Sequence, residues 1–320
     1  MKRRFGITMV AAAFLAAGCG LVLELDDMKH PVDIIDAVGE ADAPDEAGEG
    51  GEVEPDIDVP DEADAGADPP ADDGPGDTLP DDACPPDSPS HRIISVSGSV
   101  NSIFFSEGGS EKVGGLHVGL YPALSVYMNP DIPPLAGGTI EAGPSDHEGT
   151  FDLPCVDVFG VSVGLVALVD EDVGATTDDF FPTATLILQK SGSEMTGEET
   201  GMAVAVINDA VNVFAFIVPD LDRAGGLVIG RVADSYTFEG IGGALVASTG
   251  TGVTVYYPDE TLMSLKTIEG TASHGVFVIA GPVSMTQLTA SLAGYVFDTP
   301  ITATVNGICT FTFIFGSLVP

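Results

Sequence analysis

Two stretches of this chain, about 130 residues apart, carry a similar pattern of glycine and apolar residues in the same order, which reads as two copies of one folding unit. The first runs Ile93-Ile-Ser-Val-Ser-Gly-Ser-Val100, breaks at Ser106-Glu-Gly-Gly-Ser-Glu111, and resumes at Gly115-Leu-His-Val-Gly-Leu-Tyr121. The second runs Gly226-Leu-Val-Ile-Gly-Arg-Val232 and then Gly240-Ile-Gly-Gly-Ala-Leu-Val-Ala247. Further on, Ser145-Asp-His-Glu-Gly149-Thr-Phe151 and Val161 to Leu168 match Thr271-Ala-Ser-His-Gly275-Val-Phe277 and Met285 to Leu292.

These runs are short, rich in Val, Ile, Thr, Phe and Tyr, and separated by glycine-rich breaks, which predicts an all-β protein. The order G-x-V, G-G-x-x-V, a polar turn with D-x-x-G-x-F, then an apolar strand resembles the carboxypeptidase regulatory-like, or transthyretin-like, β-sandwich. The resemblance covers about residues 93–170 and 226–297. It implies that Gly98 to Val100 opens a sandwich, that Gly115 to Val118 follows, and that Gly149 and Phe151 start a central strand. Phe151 and Phe277 should point into the core. The second copy has Ala272 where the first has Asp146, so its turn loses a side chain able to bond its own backbone. The family also includes domains appended to peptidases, but no peptidase signature accompanies them here.

Charge divides the chain. Lys2, Arg3 and Arg4 precede an apolar run from Ile7 to Ala17 that ends Ala16-Ala17-Gly18-Cys19. That is a leader followed by a cleavage site, and the run is too short for a membrane-spanning helix, which needs roughly 20 apolar residues. Small residues before a cysteine resemble the lipobox of bacterial lipoproteins, which implies cleavage and lipidation at Cys19; ordinary secretion is the alternative. Gly20 is not the aspartate of an inner-membrane retention signal, so outer membrane is favoured, and surface exposure stays open. Residues 20–90 hold 24 acidic residues against Lys29 alone. Such a segment cannot bury enough apolar surface to offset the entropy of ordering and should stay disordered. The expected organisation is a leader at 1–18, a tether at 19–90, a first sandwich at 91–190, a connecting segment at 191–225 and a second sandwich at 226–320.

The connecting segment reads two ways. Thr196-Gly-Glu-Glu199 resembles a capping box that starts a helix through Phe214. Met202 to Ile207 and Val211 to Ile217 also alternate like a hairpin around Asn208-Asp209. The helix is preferred because its start has a specific mechanism.

Motifs for chemistry are sparse. A formal charge of -39 opposes nucleic-acid binding. His147-Glu148 has Phe151 where a zincin helix needs its second histidine, and there is no G-x-S-x-G, no P-loop and no C-x-x-C. His147 and His274 hold matching positions and read as turn histidines that bond local backbone. The acidic cluster Asp170, Glu171, Asp172, Asp178 and Asp179 follows an apolar strand. Carboxylates so close together repel unless spread or neutralised, and Ca²⁺ would neutralise them; a solvated acidic loop is the simpler reading. No other cofactor is expected.

After Cys19 three cysteines remain, and an odd number leaves one over. Export favours a disulfide. Pairing Cys84 with Cys155 would fasten the tether to the sandwich it enters; Cys155 with Cys309 is the alternative, and Cys309 between apolar neighbours reads as a buried thiol. The function expected is a non-enzymatic envelope lipoprotein whose partners are the membrane, through the Cys19 lipid, and an unknown protein or glycan. A calcium-dependent or carbohydrate-binding adhesive module is the alternative, with an unrecognised carboxylate enzyme third. Aromatic residues make up only 7% and tryptophan is absent, which disfavours sugar stacking.

Overall fold

Alternation in the first repeat produces its central strand. Ile94, Val96 and Val100 are buried while the residues between them are not, and Gly98 belongs to the same inward series. A computed structural model describes residues 84–104, 111–129, 131–171, 179–219, 221, 223–281 and 283–319. The leader, Cys19, and the tether as far as Ala83 lie outside the described residues, as do Asp172 and Asp178 of the acidic cluster.

The first repeat contains β1 (Ile93–Ser102), β2 (His117–Pro122), helix α1 (Ala123–Met128), β3 (Ala136–Thr139) and β4 (Glu141–Ala142). It continues with β5 (Glu148–Asp157), β6 (Leu165–Asp170), β7 (Phe180–Phe181), β8 (Thr183–Leu188), β9 (Glu198–Ile207) and helix α2 (Asn208–Ile217). The second contains β10 (Leu227–Asp234), β11 (Leu245–Ser248), β12 (Thr254–Tyr256) and β13 (Val276–Ala280), then β14 (Thr286–Ser291), β15 (Tyr295–Phe297), β16 (Ile301–Thr302) and β17 (Cys309–Leu318).

The repeats share one topology. One sheet of the first is ordered β4-β5-β1-β9-β7, and the second has β12-β13-β10-β17 with β15 on β17. In both, the first strand pairs antiparallel with the G-x-F strand and parallel with the last strand. The facing sheets correspond too: β2, β6 and β8 match β11, β14 and β16. α1, β3 and α2 have no counterpart in the second repeat among the described residues.

The two sandwiches are not separate bodies, which corrects the expected boundaries. β17 pairs in parallel with β8 of the first repeat, Cys309 against Thr183 to Phe311 against Thr185, so one nine-stranded sheet runs through both. The expected connecting segment, 191–225, supplies β9, which pairs with β1 over eight residues and completes the first sandwich. Neither reading of that segment holds as stated. The structure has a strand to Ile207 and then a helix, because Ala203 to Ile207 are buried in series beside β1 while α2 places Ala210, Val211 and Phe214 on one inward face. Glu199 does accept the Thr196 N–H at 3.0 Å, but at the start of β9, and its carboxylate lies 2.6 Å from Lys190 Nζ.

Fusion explains why β13 is buried at all five positions instead of alternating. Val276, Val278 and Ala280 face the large core that also holds Leu227, Ile229 and the inward face of α2. Phe277 and Ile279 face the second repeat's own core with Val228, Val232 and Ile314. A third cluster seals the joint: Tyr121, Val126 and Tyr127 from the first repeat meet Ala303, Val305 and Ile308 from the second. No helix among the described residues is long and apolar enough to cross a membrane.

Strand direction sets where the ends lie. Val204 N–H donates to Thr185 Oγ1 at 3.1 Å, and Gly201 sits against Ile187, so β8 runs opposite to β9 and β1. β17 follows β8, so the C-terminal residues return to the end of the body where β1 begins. The second repeat is therefore inverted relative to the first.

Candidate functional site

The chain enters the head through a covalent bond. Cys84 and Cys155 form a disulfide with Cα atoms 5.1 Å apart, the pairing that would fasten a tether to its sandwich. Cys155 sits in a bulge of β5, where three steps from Val156 to Leu153 oppose two from Ile94 to Val96, and its φ is 58°. Polar bonds hold the entry segment beyond the disulfide. Asp87 Oδ1 accepts the Ile93 N–H at 2.8 Å, and Arg92 donates to the Met195 carbonyl from Nη2 at 2.9 Å. His91 Nδ1 lies 2.6 Å from Asp157 Oδ2; that hydrogen bond, with the Phe159 and Arg92 amides, holds the Asp157 carboxyl below its ordinary value. Cys309 is a buried thiol that burial pushes upward in pKa.

The acidic cluster lies at the opposite end of the first sandwich, where β6 ends and β7 begins. Asp170 Oδ1 accepts the Glu171 N–H at 2.8 Å. Glu171 Oε1 accepts two backbone amides, Asp179 at 2.7 Å and Phe180 at 3.0 Å, so this carboxylate clasps the base of the loop. The structure thus brings Asp170, Glu171 and Asp179 to one place. Among the described residues no group of three or more His, Cys, Asp or Glu is arranged to hold a metal ion.

The pairing of Gly98 with Phe151 and of Gly230 with Phe277 makes the two phenylalanines equivalent, which sets His147 opposite Ser273, so the expected match of His147 with His274 is out by one position. His274 Nδ1 accepts the Val276 N–H at 2.9 Å and its Nε2 lies 2.8 Å from the Asp259 carbonyl. Both nitrogens bond backbone, and the geometry requires the neutral ring with its proton on Nε2. Burial pushes the His274 pKa down, outweighing Glu260 nearby. His147 lies in the corresponding turn, where its carbonyl accepts the Ser102 N–H at 2.9 Å. In the second turn Thr271, one residue before Ala272, bonds backbone with its hydroxyl: Thr271 Oγ1 accepts the Ala244 N–H and donates to the Ile241 carbonyl.

One feature escaped the sequence. A shallow groove of about 470 Å³ opens in the second repeat beside β11, β14 and β15, lined by Leu245, Ala290, Leu292, Tyr295 and Phe297. Tyr295 and Phe297 stack with centroids 5.7 Å apart. Two aromatics two residues apart on a strand share a face, the signal that would have found it.

No protein-family profile and no curated protein matches the chain. Among solved structures it is similar to the shaft pilin SpaA of Lactobacillus rhamnosus GG, at 11% identity over 71% of this chain and 98% of that one, with a TM-score of 0.23. It is similar to GBS52, the minor pilin of Streptococcus agalactiae, at 10% identity over 71% and 97%, TM-score 0.24. A streptococcal ancillary pilin aligns at 11% identity over 71% and 70%, TM-score 0.23. These likenesses are remote, and the sandwich fold rests on the chain's own strand pairing.

Proposed function

We propose that this chain is an exported, lipid-anchored envelope protein whose fused double sandwich displays or binds without catalytic turnover. The observation that carries the reading is the Cys84–Cys155 bond, placed where the acidic segment meets the head. A disulfide of this kind persists in oxidising compartments, in keeping with a charged leader and Ala16-Ala17-Gly18-Cys19. In this reading Cys19 carries the lipid, the outer membrane is the address, and the acidic residues hold the head away from an anionic surface. The resemblance to carboxypeptidase regulatory-like domains belongs to the same proposal. Its support is the matched placement of Gly98 opposite Phe151 and Gly230 opposite Phe277.

Metabolic labelling with a fatty acid tests the anchor. The wild-type chain should take up label and float with outer-membrane vesicles, and Cys19→Ala should do neither. An unlabelled wild type overturns the anchored reading. Hydrolysis of a peptide or glycan by the purified chain, lost when one carboxylate is changed and folding is kept, overturns the non-enzymatic one.

A further inference from the structure

Hydrogen bonds of a β-ladder lie across the strands. A force along the strands loads every bond of the ladder at once, whereas a force across them breaks the bonds one after another from an end. In the first sandwich, β1 and β9 are adjacent and parallel over eight successive pairs, from Ser95 with Glu198 to Ser102 with Ala205. The chain enters at the start of β1, and β9 ends at Ile207, at the opposite end of the sandwich. Opposed pulls on these two ends must slide the strands past one another.

We propose that the first sandwich is a tension clamp: a pull through the tether, resisted at the far end of the sandwich, is carried by the β1–β9 ladder in shear. Its cellular role rests on the anchored reading above, but the mechanics do not. The disulfide gives the load a fixed point of entry. It joins Cys84 to Cys155, the neighbour of Val156, which pairs with Ile94 on β1. Residues 85–92 therefore cannot straighten before the sheet takes the force. At the far half of the ladder Ala203 to Ala205 are buried, so water cannot readily replace bonds there as they stretch.

The fold also makes this strength directional. β17 brings the C-terminal residues back to the entry end, so a pull between the two termini acts across the strands. β17 is then peeled from β10 beginning at its last pair, Gly316 with Asp234.

Single-molecule pulling on the full exported chain, carrying Cys19→Ala, compares the two directions. One arm attaches the N-terminus and Asp209→Cys, an exposed position in the first turn of α2 just beyond β9; Cys309 is buried and Cys84 and Cys155 are bonded, so the new thiol is the one that couples. The other arm attaches the N- and C-termini. Forced unfolding follows the barrier along the pulled direction, so the first arm should rupture at about twice the force of the second or more at equal loading rate. A second attachment at Asn212→Cys, one turn along α2, should give the same ordering. Rupture of both first-arm attachments at or below the force of the terminal arm overturns the proposal. Failure of fatty-acid labelling would remove the anchor and leave this ratio unchanged, so the two ideas fail separately.

Discussion

Phe277 lays its ring over Gly230, directly across the β10–β13 ladder, and Phe151 covers Gly98 in the same way across β1–β5. A Cβ on either glycine would overlap the ring, so the missing side chain is what lets the phenylalanine fill the core. Gly230→Ala should destabilise the protein by about 1–3 kcal/mol through overpacking. In a Phe277→Leu background the same change should cost much less. Equilibrium denaturation of the four proteins measures the coupling, and additive losses would show that ring and glycine act independently.

The disulfide at the entry closes a loop of sequence separation 71. Replacing both cysteines by alanine should cost about 2–4 kcal/mol, mainly by freeing the unfolded chain. Position 155 adds a second effect, because its φ of 58° disfavours any residue with a Cβ. Cys84→Ala with Cys155→Gly should be more stable than the double alanine variant by about 1 kcal/mol. Urea midpoints at matched m-values provide the comparison.

Acid should weaken the second repeat through His274. Its folded-state pKa lies below the ordinary 6.5 because burial disfavours the charged ring by more than the bond to the Asp259 carbonyl and the nearby Glu260 favour it. The unfolded chain then binds the proton more readily, so this contribution is complete above the ordinary pKa and is lost as pH falls through the folded-state value. Asp259 and Glu260 face the ring and Arg231 lies nearby. Thermal melts from pH 7.5 to pH 5 should show a decline in the wild type that is reduced in His274→Gln.

Two buried hydroxyls at the joint, Thr310 Oγ1 and Tyr127 Oη, have no hydrogen-bond partner among the described residues. Thr310→Val and Tyr127→Phe each remove a desolvated polar group while keeping its shape, and each should be neutral or stabilising by up to about 1 kcal/mol. A clear loss in either would mean that its hydroxyl is bonded in solution.

Glu171 distinguishes a self-clasped loop from a calcium loop. Because its Oε1 already accepts the Asp179 and Phe180 amides, Glu171→Ala should destabilise by about 1 kcal/mol and speed hydrogen exchange at both amides, with calcium present or absent. Added Ca²⁺ should leave the melting temperature of the wild type unchanged. A rise that disappears in Asp170→Ala with Asp172→Ala would instead assign the loop to calcium by linkage.

The repeat, the all-β class and the inward phenylalanines were legible in the sequence because they are local. Glycine and phenylalanine at matched spacings, and apolar residues in alternation, impose the same strand geometry wherever they occur. Strand β9 was less legible: Glu199 accepts the Thr196 N–H, one of the two bonds of a capping box, but burial of Ala203 to Ile207 beside β1 overrides that local preference. The fused sheet was not legible as a topology. Val276 to Ala280 records burial on both faces, yet an unbroken apolar run does not say which strand or core will cover the second face. That choice comes from the β8–β17 pairing between residues about 125 positions apart, and from α1 closing the joint. Residue order therefore determined two similar sandwiches behind an acidic preface, while tertiary structure decided that they form one body with the second repeat inverted, because strand partners are selected by long-range burial and not by the residues beside them.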